Sequence, residues 1–371
     1  MVDTLANRRC RYFLVGTFPF LILVVNVVIF ATSIVPHWLL YTAAPPKPEG
    51  KPTALSQSDK IRITQQRFRD GEWRRIVSQE ITLNRTGLPQ DYEQFLHPNF
   101  KIDRSNQRSQ PWLWEWIPKA IASQFPLVPF SADNWCQAIH NRSILFVGDS
   151  INQNFLTLLW VVLGGRDPIM QDFPWNRTMG DHGISLCGSQ SQSKLYGIAN
   201  VHLTLTDTLY PNECEVAIRC QPWKYLLPNY DILILNSGPH FEDSAKYENR
   251  IRTVSKYLNQ SYNGTVIFRT SVAGHPNCGD ATGPISEEVF AATNYSGVYD
   301  MYKWDQFASL NAIALSVLQE ELPQSIIWDV NPITRLRPDG HKFDNDCLHY
   351  RMPGVMDYWV LYLQNLLHSL Q

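Results

Sequence analysis

The chain has 371 residues, 44% of them hydrophobic, enough to bury a sizeable core and too apolar for a disordered chain. A formal charge of −2 with both signs interspersed provides no basic face for a polyanion, which excludes nucleic acid as a partner. Twelve tryptophans are present, and such rings either fill a core or line a carbohydrate site.

The first predicted element is a transmembrane helix over residues 13–35, FLVGTFPFLILVVNVVIFATSIV, with no charged position. As a helix it would be about 35 Å long, enough to cross the hydrocarbon core of a bilayer. Arg8, Arg9 and Arg11 precede it, and the next lysine or arginine is Lys47, so the positive-inside rule makes residues 1–12 a cytoplasmic tail. The apolar run is too long for a typical cleaved signal peptide, so an uncleaved signal anchor is expected, with the rest of the chain luminal.

Two further features agree with that placement. Sequons occur at Asn84, Asn141, Asn176, Asn259, Asn263 and Asn294. Apart from Cys10, beside the membrane on the cytoplasmic side, the cysteines are six (Cys136, Cys187, Cys214, Cys220, Cys278 and Cys347), an even number suited to disulfides in an oxidising compartment. Spacing alone does not choose among the pairings. No CxxC pair or histidine-rich helix is present, and no metal site is expected.

Residues 36–60, rich in proline and polar residues, are predicted to form a luminal stem, and residues 61–371 a folded luminal domain. Within that domain, apolar runs at 144–148, 201–205, 231–236, 265–271 and 325–330 predict strands. Helix-like stretches such as 152–163 and 305–322 lie between them, and this alternation predicts an α/β fold with a mainly parallel sheet flanked by helices. The last segment, 353–370, predicts an amphipathic helix with Pro353 in its first turn.

In such sheets, ligands bind beyond the carboxyl ends of the strands. Ser150, in ILFVGDSINQNF, falls at that edge, between a strand and a helix. A serine hydroxyl becomes a nucleophile when a histidine takes its proton and a third group holds the histidine. The corner adds free N–H groups of a helix's first turn, which stabilise a negative oxygen. The same position equally suits a helix N-cap. Near the end of the chain, NDCLHYRMPG places Asp346 three residues before His349, in what reads as a loop before the final helix. Asp346 can hold the Nδ1 proton while Nε2 points outward, completing a set of Ser150, Asp346 and His349. Asp149 is expected to brace the turn and His341 to fix a loop, while Trp114 and Trp116 suit either core packing or stacking on a sugar.

These stretches, taken together, resemble the trichome-birefringence-like polysaccharide O-acetyltransferases, grouped with the PC-esterases and distantly related to SGNH hydrolases. DGEW at 70–73 looks like the family's opening block, and WLWEWIP at 112–118 is similar to its W-x-W-x-P block. ILFVGDSINQN matches the GDS block, and DILILNSGPH at 231–240 the segment ending N-T-G-H-W. RTSVAGHPNC resembles R-T-x-S-x-x-H, ITRLRPDGH at 333–341 the block before the end, and DCLHYRMPG the D-C-x-H-W-C-x-P-G block. The resemblance runs through most of the luminal part and keeps the family's order.

It implies an SGNH-like α/β fold, Ser150 as nucleophile, His349 as general base and then acid, and Asp346 as its orienting partner. It also implies a Cys278–Cys347 disulfide and an oxyanion hole at the N–H of Ser150 with Gly238 and Asn236, although Asn236 also suits a purely turn-stabilising role. No bound cofactor is implied, but an acetyl donor is needed, with acetyl-CoA as a plausible ultimate source. The acceptor would be a polysaccharide or oligosaccharide, and the location the Golgi membrane as a single-pass type II protein. A glycan esterase is the near alternative, and a glycan-binding protein with a vestigial triad the distant one. The chain departs from the family at Gln153, where arginine is usual, at Pro239, which replaces a histidine and has no N–H, and at Gln66 and Arg351, which stand where cysteines are found.

Overall fold

In the computed structural model, the described residues are 54–371 apart from 77–85, 90, 97–99, 102–109, 120–124, 166–183, 189–190, 208–219, 239, 241–242, 273, 296–302 and 344–345. The tail and anchor expected before residue 36 lie outside them, and no helix among the described residues is long and apolar enough to cross a membrane. The first helix, α1 (Gln57–Arg69), begins inside the stretch read as a stem, because Ser56 caps it by accepting from the Asp59 N–H at 3.1 Å. It is followed by β1 (Gly71–Arg75), which pairs antiparallel with β2 (Trp114–Pro118) in a separate two-stranded ribbon.

After α2 (Ala132–Ile139) comes β3 (Ile144–Gly148), buried at every position. A strand buried on both faces belongs in the middle of a parallel sheet. There it lies, followed by α3 (Ser150–Val162), β4 (Ile184–Ser185), β5 (Lys194–Ala199) and β6 (Ile232–Leu235). Then come α4 (Ser244–Ser261), β7 (Thr265–Arg269), the short α5 (Glu287–Ala291), α6 (Phe307–Glu321) and β8 (Ile326–Trp328). The sheet order is β4-β5-β3-β6-β7-β8, with β5, β3, β6, β7 and β8 parallel and β4 antiparallel at the edge. The α/β class and the mainly parallel sheet are as expected.

Alternation along these strands builds two cores. Ile144, Phe146, Ile232, Ile234 and Ile267 face Trp135, Phe155 and Trp359, while Leu145, Val147, Leu233, Leu235 and Phe268 face Tyr247, Leu258 and Leu310 of α4 and α6. The run 201–205 is not a strand. Its place beside β3 is taken by β5, and the turn that follows is held by Asn200, whose Oδ1 accepts from the Thr204 N–H at 2.8 Å and whose Nδ2 donates to the Gln221 carbonyl at 2.9 Å.

The chain ends with α7 (Asn331–Thr334), β9 (His341–Phe343), β10 (Asp346–Tyr350) and α8 (Val355–His368). The final helix is not amphipathic: its residues are buried from Val355 to Leu367. Gln364 and Asn365, which read as a polar face, donate instead to the carbonyls of Val128 and Pro129 at 2.9–3.2 Å, so a polar stripe in the sequence becomes an internal seam. The helix starts after Pro353, with Gly354 as its N-cap.

Candidate active site

β3 ends at Gly148, and the chain turns into α3 through Asp149 and Ser150. A Cβ on Gly148 would lie 1.9 Å from Asn236 Oδ1, so only glycine lets the two strand ends approach this closely. Asp149, not Ser150, is the N-cap, accepting from the N–H groups of Ile151 at 3.0 Å and Asn152 at 3.3 Å. This leaves the Ser150 hydroxyl unused by the helix.

Asp149 is buried and densely supported. Asn236 donates from Nδ2 to its Oδ2 at 2.6 Å and accepts from its N–H at 3.2 Å, and Arg269 Nη2 donates to its Oδ1 at 3.3 Å. Arg269, at the end of β7, also donates from Nε to Asn152 Oδ1 at 2.8 Å and lies over the Trp359 ring. Its side chain is wholly buried, and that burial pulls its pKa down to about 10 against the upward pull of the Asp149 charge. The brace expected of Asp149 is therefore a lock that joins the ends of three strands, with Asp149 itself following β3, Asn236 following β6 and Arg269 ending β7. Arg269 and Asn152 fall inside the blocks RTSVAGHPNC and ILFVGDSINQN, but no signal in the sequence joins either of them to Asp149.

On the other side of the corner stands β10. In a regular strand, residues three apart point to opposite faces, which would separate Asp346 from His349. The β9–β10 pairing shifts register between Asp346 and Tyr350, and this irregularity brings the two side chains together. The expected loop is thus a bulged strand. His349 Nδ1 lies 2.9 and 3.1 Å from the two Asp346 oxygens, and its backbone N–H donates to Oδ1 at 3.2 Å. Its other nitrogen, Nε2, stands 2.7 Å from Ser150 Oγ. Partial burial would raise the Asp346 pKa, but the hydrogen bonds and charge of His349 outweigh it and hold the carboxyl at about 2. His349 and Asp346 side chains are 27% and 30% exposed, so solvent-borne molecules reach this edge.

Cys278 and Cys347 form a disulfide with their Cα atoms 5.5 Å apart, tying β10 to the segment after β7; Cys136 is likewise bonded to Cys187. Gly238, at the end of β6, has φ +156°, and a Cβ there would lie 2.4 Å from Ser271 Oγ. Among the described residues, the N–H groups of Ser150 and Gly238 have no acceptor. Asn236, by contrast, has both ends of its amide on Asp149 and is fully buried, in keeping with the turn-stabilising alternative. Trp116 is a core residue, donating from Nε1 to the Arg67 carbonyl at 2.9 Å, whereas Trp114 lines a cavity of about 600 Å³ with Arg75 and Asp280. His341 is buried behind β10 and meets a second buried imidazole, His275, at 2.6 Å; neither ring was connected to the other by its sequence context.

No family model matches the chain. It is 23% identical over 309 residues to Protein trichome birefringence-like 24 of Arabidopsis thaliana, covering 66% of this chain and 69% of that protein. Xyloglucan O-acetyltransferase 2 of Populus trichocarpa is 21% identical over 309 residues, covering 66% of this chain and 70% of that one. Protein trichome birefringence-like 13 of Arabidopsis thaliana is 21% identical over 395 aligned positions, covering 89% of each. The motifs and these relatives agree, and the chain is a distant relative of the trichome-birefringence-like proteins.

Proposed function

We propose that the protein is an O-acetyltransferase that moves an acetyl group to a hydroxyl of a polysaccharide or oligosaccharide through an acyl-enzyme on Ser150. The observation that carries this reading is the contact of Ser150 Oγ with His349 Nε2 at 2.7 Å while Asp346 holds the opposite nitrogen. Kinship with a named xyloglucan O-acetyltransferase supports the acceptor class. In the first step Ser150 Oγ attacks the acyl carbon of an acetyl donor and its proton passes to His349 Nε2. The leaving group takes that proton as it departs. In the second step His349 removes the proton of a sugar hydroxyl, whose oxygen attacks the acetyl carbon, and Ser150 leaves with its proton restored.

The negative oxygen of each tetrahedral intermediate is assigned to the N–H groups of Ser150 and Gly238, with Asn236 steadying the corner through Asp149. Asp346, ionised far below neutral pH, fixes the tautomer that leaves Nε2 free to accept. The acetyl donor of this reading draws ultimately on acetyl-CoA. The disulfides accord with a luminal location, and the reading places the protein in the Golgi membrane, anchored by residues 13–35.

The partial exposure of His349 and Asp346 favours one second reading, a glycan esterase, since water that reaches the acyl-enzyme hydrolyses it. The test is to incubate the full-length protein with an activated acetyl ester, with and without oligosaccharides, and follow acetate and acetylated sugar by mass spectrometry. Sugar acetylation that disappears in Ser150→Ala is the expected result. Acetate release that no sugar diverts would replace the transferase with the esterase, and no acyl-Ser150 would end both.

A further inference from the structure

The β1–β2 ribbon has two unlike faces. Alternation puts Arg74 opposite Glu115 on one face, where they form an ion pair at 3.0 Å. The other face carries Trp73 opposite Trp116 and then Arg75 opposite Trp114. At its inner end this face is core, since Trp116 is buried and Trp73 donates to the Ile333 carbonyl. At its outer end it opens into the cavity of about 600 Å³, whose far wall is residues 280–285.

Three properties of that end point to a ligand. Arg75 is exposed and, unlike Arg74, makes no ion pair among the described residues. Trp114, its cross-strand neighbour, is half-buried, and its indole lies against Gly283 so closely that a Cβ there would come within 2.6 Å of the ring. The absence of a side chain at Gly283 thus lets the ring pack here while part of it stays open to solvent. Asp280, on the opposite wall, is also exposed and unpaired among the described residues. A guanidinium, an aromatic face and a carboxylate around one cleft match the three recognition needs of an acidic sugar: a bidentate partner for its carboxylate, a platform for its ring, and an acceptor for its hydroxyls.

The cavity is also tethered to the catalytic strand. Asp280 lies two residues beyond Cys278, whose partner Cys347 lies two residues before His349, with Cα atoms 5.5 Å apart across the disulfide. At ~3.8 Å per residue, the Asp280 and His349 Cα atoms are at most about 21 Å apart, within the reach of a short oligosaccharide.

We propose that this cavity is an acceptor subsite that takes a uronic-acid residue of the glycan, with the carboxylate on Arg75, the ring on Trp114 and a hydroxyl on Asp280. The proposal rests on the transferase reading in calling the sugar an acceptor; the binding itself does not depend on it. The test uses the full-length Ser150→Ala protein, in which no chemistry occurs, and compares the affinity of oligogalacturonate with that of its methyl ester, which keeps the ring and removes the charge. The acid should bind at least about tenfold more tightly, the worth of one charge-assisted bidentate contact. Arg75→Gln should abolish that preference and Trp114→Ala should weaken both ligands, while Arg252→Gln, on a distant ion-pair network, should leave the preference intact. Equal binding of acid and ester, a preference that survives Arg75→Gln, or no binding of either would overturn the proposal. Ser150-dependent hydrolysis of 4-nitrophenyl acetate by the wild-type protein, measured in parallel, reports separately on the catalytic reading.

Discussion

Replacing Asp346 by asparagine removes one charge and almost no volume from the candidate triad, so its effect is electrostatic. In the proposed mechanism His349 takes the Ser150 proton and becomes an imidazolium, whose Nδ1 lies 2.9 and 3.1 Å from the Asp346 oxygens. With charge centres about 4 Å apart and an effective dielectric constant near 20, that attraction is worth about 4 kcal/mol. The two side chains are 27% and 30% exposed, and water screening reduces the figure to roughly 2–4 kcal/mol, or about 30- to 1000-fold in rate. The amide adds a second fault. The His349 backbone N–H, 3.2 Å from Oδ1, favours oxygen at that position, which turns the NH₂ group towards Nδ1 at the 3.1 Å contact and weakens the preference for the productive tautomer. The assay is kcat/KM for 4-nitrophenyl acetate hydrolysis in the wild-type protein, Asp346→Asn, Ser150→Ala and the double variant. The loss should fall on kcat, and the double variant should be no slower than Ser150→Ala, because residues acting as one unit are not additive. A loss below about threefold, or additive losses, would refute the triad.

Gly238→Ala must force a side chain into φ +156° and against Ser271 Oγ; it should lower kcat about 10²-fold with little change in KM, the scale of losing one oxyanion donor, and an unchanged kcat would remove Gly238 from the site. Arg269→Met leaves the buried Asp149 carboxylate without its cation and should cost about 3–5 kcal/mol in urea denaturation, much of it regained in the Asp149→Asn/Arg269→Met pair. Asp357, buried at the start of α8, has its pKa raised to about 7 by burial, against hydrogen bonds from the Tyr92 hydroxyl at 2.7 Å and the Gly354 N–H at 3.3 Å. The folded state therefore holds this proton where the unfolded chain has lost it, so the stabilisation is intact below pH ~4 and is lost as pH rises to about 7. Asp357→Asn, whose oxygen can accept from the Gly354 N–H while its NH₂ donates to the Tyr92 hydroxyl oxygen, should gain on the wild type by about 1.4 kcal/mol per pH unit across that window; a flat difference in denaturation free energy would refute the assignment.

What could be read from the chain was what is local. β3, β6 and β7 are continuous apolar runs because both of their faces are buried, and their ends were legible to within two residues. β5 was overlooked because KLYGIA mixes lysine and glycine into its apolar pattern, while the more regular VHLTL next to it is a turn tied down by Asn200. The β1–β2 ribbon pairs residues some forty positions apart, a choice that no local pattern encodes. At the site, the residue types of Ser150, Asp346 and His349 announced themselves, but their meeting did not. It depends on a register shift in β10 and on a cap that falls on Asp149 rather than Ser150, and the choice between two equally good capping residues was made by Asn236 and Arg269, from distant strands.

The imidazole pair behind β10 imposes an arithmetic on the back of the site. His275 Nε2 lies 2.6 Å from the Arg335 carbonyl and must carry hydrogen, so its Nδ1 is bare when the ring is neutral. His341 Nε2, 2.6 Å away, must then carry the hydrogen between them, which leaves His341 Nδ1 bare as well, facing the His349 carbonyl at 3.2 Å. Burial holds both rings neutral at ordinary pH, so two hydrogens are shared among three contacts, and the vacant one is always that on the main chain of His349. The rear of His349 is thus faced by a lone pair instead of a donor, and its ring is held from the other side, through Nδ1 by Asp346 and through Nε2 by Ser150 Oγ.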